Sequence, residues 1–498
     1  MSNWHRHLPD QMDPANIELT TGESLPAVWV SHWQHQPERK IIHDPTAGWV
    51  SAGDLLDRSA VIARRLANAG VEQGDRVLLS AASSVELVAA HTAVLRLGAV
   101  AMPTNGAYRA DEVSHVVADA RPKVAIVDQP EWTEWIRSCD STVLVTDPSV
   151  DLEEGSNVRL DQVEGRASAL IGYTSGTTGR PKGAVLSHRN LLSSVRALEI
   201  AWRWQPEDVL VLALPLFHMH GLGVGLHGSL AVGAQAVLLP EFDATAVFDA
   251  INQHEASMFF GVPTMYNRLV ESPRARELNR LRLCVSGSAP LAAELHQRIY
   301  EVSGQRVLER YGMTETVMLV SNPYEEERRP GAVGFPLPGV EVRLKGQPPE
   351  IQVKGPNVFR GYWERPEAND EAFDGDWFRT GDLGALDVDG YLSIVGRAKE
   401  LIISGGFNVY PREVEDVISQ HEAIRECAVV GETDDEWGEA VVAFVVADRD
   451  LEDDEIKNFV GERLADYKRP QRTYRTDALP RNALGKVQKH RLKEQLTG

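Results

Sequence analysis

The stretch Thr174-Ser-Gly-Thr-Thr-Gly-Arg-Pro-Lys-Gly183 gathers hydroxyls, backbone N–H groups left open by small residues, and one lysine. That is the chemistry of an anion cradle, and phosphate is the anion it suits. It departs from a Walker loop, in which Lys directly precedes Ser or Thr and opens a helix; here Pro181 precedes Lys182 and Gly183 follows. Short apolar runs on either side, Ala169 to Ile171 and Ala184 to Leu186, predict that the loop joins two strands. Further along, Pro215-Leu-Phe-His-Met-His-Gly-Leu222 places His218 and His220 after an apolar run, where open α/β sheets hold ligands. Leu281-Arg-Leu-Cys-Val-Ser-Gly-Ser-Ala-Pro290 and Val307-Leu-Glu-Arg-Tyr-Gly-Met-Thr-Glu-Thr316 are two strand–turn units whose turns could wall one slot around a flat ring. Asp382, in Thr380-Gly-Asp382, is a carboxylate at a turn, able to accept both hydroxyls of a ribose. Gly396-Arg397 follows it, and Lys486 stands near the end of the sequence.

In this order these motifs resemble the signature series of the adenylate-forming superfamily, which contains acyl-CoA synthetases, stand-alone adenylation domains and beetle luciferases. The resemblance runs from about residue 20 to about residue 495. It implies an ATP site built from Thr174, Ser175, Gly176, Thr177, Thr178, Gly179 and Lys182, with Ser288, Ala289 and Pro290 on one face of adenine and Tyr311 and Gly312 on the other. It implies that Thr314 bonds the α-phosphate, that Glu315 holds Mg²⁺, and that Asp382 and Arg397 take the ribose. Lys486 matches the lysine that bridges acyl carboxylate and ATP, and Lys399 takes the hinge position. Ser404, Gly405 and Gly406 would face CoA in the second half-reaction. Catalysis thus falls to Lys486, Thr314, Glu315 and His218. A hard cation needs the oxygen ligand that Glu315 supplies.

The reaction so implied has two steps. A carboxylic acid attacks the α-phosphate of ATP, releasing pyrophosphate, and the CoA thiol then displaces AMP from the acyl-adenylate. Within the superfamily the chain most resembles malonyl-CoA and methylmalonyl-CoA synthetases. A second carboxylate in a small pocket needs paired donors; the candidates are His218, His220, Arg282, Ser286 and Ser288, with Met313 as a wall. A medium- or long-chain fatty acid is the alternative substrate. A luciferase-like oxygenase shares these motifs, whereas a non-catalytic nucleotide-binding relative should have lost Lys486, Glu315 or Asp382, all of which are present.

The bulk properties set outer bounds. At 498 residues the chain exceeds one compact core. A formal charge of −21, from 72 acidic and 51 basic residues, opposes long-range attraction of polyphosphate. Nucleic acid is therefore not an expected partner, and anionic substrates must be gathered by local cations. Cys139, Cys284 and Cys427 are too few and too scattered for a disulfide framework or a metal cluster. No apolar run approaches a membrane span, and the N-terminus lacks a signal-peptide layout. These features predict a cytoplasmic protein; no motif speaks to its oligomeric state.

The elements that must hold these residues alternate between helix and strand. Leu55, Leu56, Ile62, Ala63 and Leu66 recur at helical spacing up to Gly70, and Arg76–Leu79 reads as a strand. Val85–Leu97 reads as a helix stopped by Gly98, then Ala99–Met102, Val124–Val127 and Val143–Val145 as strands. The expected fold is α/β: a large N-terminal domain of parallel-rich sheets and helices with a β-rich subdomain (1–396), and a small mobile α+β C-terminal domain (397–498). In the latter, Pro411 opens a helix with Val414, Val417 and Ile418 inward, and Ile456, Phe459, Val460 and Leu464 mark another.

Overall fold

A computed structural model describes residues 4–10, 12–155, 158–174, 181–404, 406–434, 437–452, 454–481 and 486–497. The chain separates into two compact units, Met1–Val342 with Val353–Phe378, and Arg343–Gln352 with Arg379–Gly498.

The large unit carries two sheets. In the first, Leu308–Tyr311, Leu283–Ser286, Met258–Gly261, Val209–Leu212, Gln235–Leu238 and Lys40–Asp44 run parallel, with antiparallel strands at either edge, making nine in all. In the second, Leu144–Thr146, Val124–Val127, Arg76–Ser80, Val100–Pro103 and Ser168–Thr174 are parallel, and Lys182–Ser187 closes the edge antiparallel to Ser168–Thr174. The strand expected on each side of the phosphate loop is therefore present, and Thr174 faces Lys182 across the ladder. Strands buried on both faces read as unbroken apolar runs, which is why these strands were recognisable. Val211, Phe248, Phe259, Tyr266 and Ile299 fill the core of the first sheet, and Leu78, Met102, Val116, Trp132 and Ile171 that of the second.

Helix Val85–Leu97 shows how the sequence fixes its elements. Ser84 Oγ caps it by accepting from the Leu87 N–H at 3.2 Å. Its buried residues cover every face, as in a helix enclosed by other layers. Gly98 ends it with φ +82°, a conformation open to glycine.

The small unit contains a five-stranded sheet in which Gly438–Ala447 pairs with Ile424–Asp434, Ile402–Ser404 and Arg472–Arg475, and also, from residue 379 on, the hairpin of Trp377–Leu386 with Leu392–Arg397. One face packs Val414 and Ile418 of helix Pro411–Ile418 and Ile456 and Val460 of helix Glu455–Gly461 on Val429, Val441 and Ala443. The other packs Leu492 of the terminal helix on Val430 and Phe444. The two units divide before residue 397, the boundary expected from the sequence. The reason is the hairpin that carries Asp382 and Arg397: its strand Leu392–Arg397 contacts helix Pro411–Ile418, and Arg412 Nη1 donates to the Ile394 carbonyl at 2.8 Å. All three cysteines are free thiols. Among the described residues no helix is long and apolar enough to cross a membrane.

Five histidines of the large unit, His7, His91, His188, His220 and His227, are almost wholly buried. Burial lowers His91 to about 3 and His7 and His188 to about 4, and drives His220 and His227 well below the ordinary value. His91 Nε2 and His227 Nε2 lie 2.9 Å apart, a contact that takes one proton and not two. The unfolded chain binds protons at these sites below pH ~6.5, whereas the folded chain does not until far lower. Stability is thus complete above pH ~6.5 and lost as pH falls. At pH 5.5 the five histidines together forfeit several kcal/mol, a large part of a domain's stability. We expect the thermal unfolding temperature to fall steeply between pH 6.5 and 5.5. His91→Gln, which removes one titrating member of the close pair, should flatten that slope; a flat profile in the wild type would refute the assignment.

Candidate active site

The parallel strands Leu283–Ser286 and Leu308–Tyr311 are neighbours in register, Ser286 beside Glu309, so the turns that leave their C-terminal ends lie side by side. The first turn holds Ser288 at φ +67°. The second is tight: a Cβ on Gly312 would stand 2.3 Å from the Val317 carbonyl oxygen, and the Leu319 N–H returns to the Tyr311 carbonyl at 3.0 Å. This reversal presents Met313, Thr314 and Glu315. Thr314 packs directly on the backbone of the strand entering the phosphate loop, since a Cβ on Gly172 would lie 2.5 Å from its Cγ2. The two stretches expected to hold the triphosphate, far apart in sequence, therefore meet.

Of the loop itself, Ser175, Gly176, Thr177, Thr178 and Gly179 lie outside the described residues. Its two ends are fixed: Thr174 Oγ1 donates to the Lys182 carbonyl at 3.3 Å, and His115 Nε2 stands 2.8 Å from the Pro181 carbonyl. Glu315 is 4% exposed, its carboxylate accepts from Tyr362 Oη at 2.9 Å, and its carbonyl accepts from the Phe359 N–H at 2.8 Å. Among the described residues no group of three or more His, Cys, Asp or Glu gathers as a metal nest. One buried carboxylate acting with phosphate oxygens is instead the donor set that suits magnesium.

Beside this lies a second cluster. His220 Nδ1 is 3.4 Å from Ser288 Oγ, and the His220 N–H donates to His218 Nδ1 at 3.3 Å. The sequence suggests a loop here, but His220–Leu226 forms a π-helical turn, wider than an α-turn and frequent at functional sites. Arg310, on the strand Leu308–Tyr311, runs against the backbone of Gly287, where a Cβ would stand 2.3 Å from its Nε. It is 5% exposed, and its Nε and Nη2 have no hydrogen-bond partner among the described residues. Burial lowers its pKa to about 9, so it stays charged at neutral pH. Burial first, and the Arg310 charge second, lower His218 to about 4 and His220 further, so both histidines are neutral. Ser286 Oγ and His220 Nε2 are likewise buried without a partner among the described residues. Among the described residues this is a buried cation without a counter-charge, set among polar atoms that lack partners, an arrangement chemically suited to an anion.

Arg282 does not join this cluster. It sits at the opposite end of the strand Leu283–Ser286, where Nε donates to Asp208 Oδ1 at 2.6 Å, Nη2 pairs with Asp208 Oδ2, and Nη1 donates to the Trp202 carbonyl at 3.0 Å. Its charge is already answered, so it is no ligand for the acyl group. Arg310 takes its place, one residue before the Tyr311 that the motif singled out. The available signal was a pair of adjacent charged residues, Glu309 and Arg310, inside a short strand between motifs.

In the small unit, Asp382 and Arg397 are register partners on the hairpin, with Arg397 Nε 3.0 Å from Asp382 Oδ1. Asp382 is buried and Arg397 partly exposed. Lys486 lies within electrostatic reach of Arg397, Asp382, Glu400 and Lys489. The next turn of the chain holds Lys399 in Ala398–Glu400. Ser404 is buried at the end of the first strand of the hairpin Ile402–Val409, Gly406 turns it with φ +81°, Phe407 stands exposed opposite Ser404, and Gly405 lies outside the described residues.

A family model described as AMP-binding enzyme matches residues 30–363, and one described as AMP-binding enzyme C-terminal domain matches residues 413–486. The chain belongs to the AMP-binding enzyme family. It is similar to the oxalate–CoA ligase of Arabidopsis thaliana, 36% identical over 471 residues covering 88% of this chain and 91% of that protein. The malonate–CoA ligase of Arabidopsis thaliana is 35% identical over 479 residues, covering 86% of this chain and 79% of that one. Among solved structures, ATP-bound MatB from Rhodopseudomonas palustris superposes with a TM-score of 0.90 at 38% identity, over 95% of this chain and 99% of that chain. Membership in the AMP-binding enzyme family fits both the α/β architecture and the motif series, and makes the chain an AMP-forming acyl-CoA synthetase. The motifs gave no hint of Tyr362, which is brought beside the strand leaving the phosphate loop by a long-range bridge to Ala184.

Proposed function

We propose that this enzyme joins a small dicarboxylic acid, malonate or methylmalonate, to CoA. The observation that carries the reading is Arg310: a buried guanidinium without a hydrogen-bonded counter-anion, close enough to His218 and His220 to depress both. One substrate carboxylate pairs with Arg310, with Ser288 and His220 completing its hydrogen bonds. The other is left to attack the α-phosphate of ATP. Its oxygen forms the new P–O bond as pyrophosphate leaves, and the CoA sulfur then forms the thioester as AMP leaves. Carboxylate and triphosphate repel each other, so positive charge must be placed where they meet. Lys182 and Lys486 supply it, and Thr314 donates to the α-phosphate. Glu315 would hold Mg²⁺, which when bound neutralises phosphate charge. Asp382 and Arg397 take the ribose, Lys399 acts as the hinge, and Ser404 to Gly406 pass the thiol arm.

AMP release is to be measured across malonate, methylmalonate, oxalate, acetate, octanoate and palmitate, with ATP, Mg²⁺ and CoA. A site built around a second carboxylate rejects acids lacking it, so malonate or methylmalonate should exceed each monocarboxylate at least about tenfold. Oxalate is the closest rival, since the same guanidinium attracts it. Its two carboxylates are joined directly, so a pocket spaced for malonate brings only one of them to bear. Preference for octanoate or palmitate would overturn the reading.

A further inference from the structure

Tyr362 touches the two groups expected to handle phosphate and metal in the large unit. Its hydroxyl donates to Glu315 Oε1 at 2.9 Å, and Lys182 Nζ stands 5.3 Å from the centre of its ring, a cation–π distance. The tyrosine is itself immobilised. It bridges Ala184 in the strand leaving the phosphate loop, its N–H donates to Asn369 Oδ1 at 2.6 Å, and its ring meets Phe359 edge-on with centroids 4.9 Å apart. The Trp363 N–H adds a bond to the Gly183 carbonyl at 2.8 Å. A hydrogen bond to one carboxylate oxygen from a held donor restricts the rotation of the group and so biases where its other oxygen points.

We propose that Tyr362 is a positioning residue for the metal–phosphate site. It orients Glu315 toward the cation that accompanies the triphosphate, and it seats Lys182 along the same phosphates. This rests on the reading of Glu315 as the metal carboxylate. The full-length enzyme is titrated with a non-hydrolysable ATP analogue by calorimetry at a series of MgCl₂ concentrations, in parallel with adenylation rates. Tyr362→Phe keeps the ring under Lys182 and removes only the hydroxyl. It should raise the Mg²⁺ concentration needed for half-maximal analogue binding about tenfold, the lower end of what supporting residues give. The KM for the acid and the unfolding temperature should stay near wild type. Glu315→Gln should shift the Mg²⁺ dependence further in the same direction. If Glu315→Gln shifts it and Tyr362→Phe does not, the tyrosine is merely structural and the proposal is wrong. If neither shifts it, Glu315 is not the metal carboxylate, and the role assigned to Tyr362 falls with it.

Discussion

Arg310→Met should lower kcat/KM for malonate by about 10²- to 10³-fold and at the same time leave the protein as stable as before or more so. The two effects share one cause. In the free enzyme the Arg310 guanidinium is buried with Nε and Nη2 unpartnered among the described residues, so removing it relieves a desolvation penalty. In the complex the substrate carboxylate becomes the buried charge, and taking away its partner costs about 3–5 kcal/mol. Methionine fills similar volume without charge. Acetate and propionate, which carry no second carboxylate, should lose little or gain. The measurement pairs a kcat/KM series over these acids with a thermal melt. Equal losses for malonate and propionate would make Arg310 a general structural element and remove the basis for a dicarboxylate substrate. A large fall in melting temperature would point the same way.

Lys486→Ala should slow acyl-adenylate formation by about 10²-fold or more, on the scale of deleting one preorganised donor. Its charge lies near Asp382 and Arg397, the pair proposed to take the ribose. The second half-reaction needs no such bridge, because attack by the thiol on a formed adenylate brings together no carboxylate and triphosphate. Pyrophosphate exchange should therefore collapse while CoA transfer from supplied acyl-adenylate continues. Loss of both steps would show that the alanine disrupts the small unit, and loss of neither would remove Lys486 from the chemistry.

What could be read from the sequence was what local periodicity encodes. Helix Val85–Leu97 and its stop at Gly98, and the paired strands around the phosphate loop, follow from runs of apolar residues and from glycine. The turn at Gly312 was visible as a motif, and the structure adds the steric reason for it. What was not legible depends on partners distant in sequence. Arg282 looked like a substrate ligand because nothing nearby reveals that Asp208, on another strand's approach, already neutralises it. Arg310 lay within a recognised motif, yet charge in a strand ordinarily signals a solvated face, and only the packing of Gly287 against it shows that it is enclosed. Tyr362 meets Glu315 and Lys182 from another part of the chain. The Asp382–Arg397 hairpin joins the small unit because of contacts with helix Pro411–Ile418, which no composition change marks.

The closeness of Gly172 to Thr314 also constrains the history of the chain. A Cβ at 172 would collide with the methyl group of Thr314, so position 172 cannot gain a side chain while that methyl stays in place. A lineage that acquires alanine at 172 must shed that methyl, and serine is the replacement that does so while keeping the hydroxyl. Two motifs lying more than a hundred residues apart thus meet in a contact that leaves room for glycine alone at one of them.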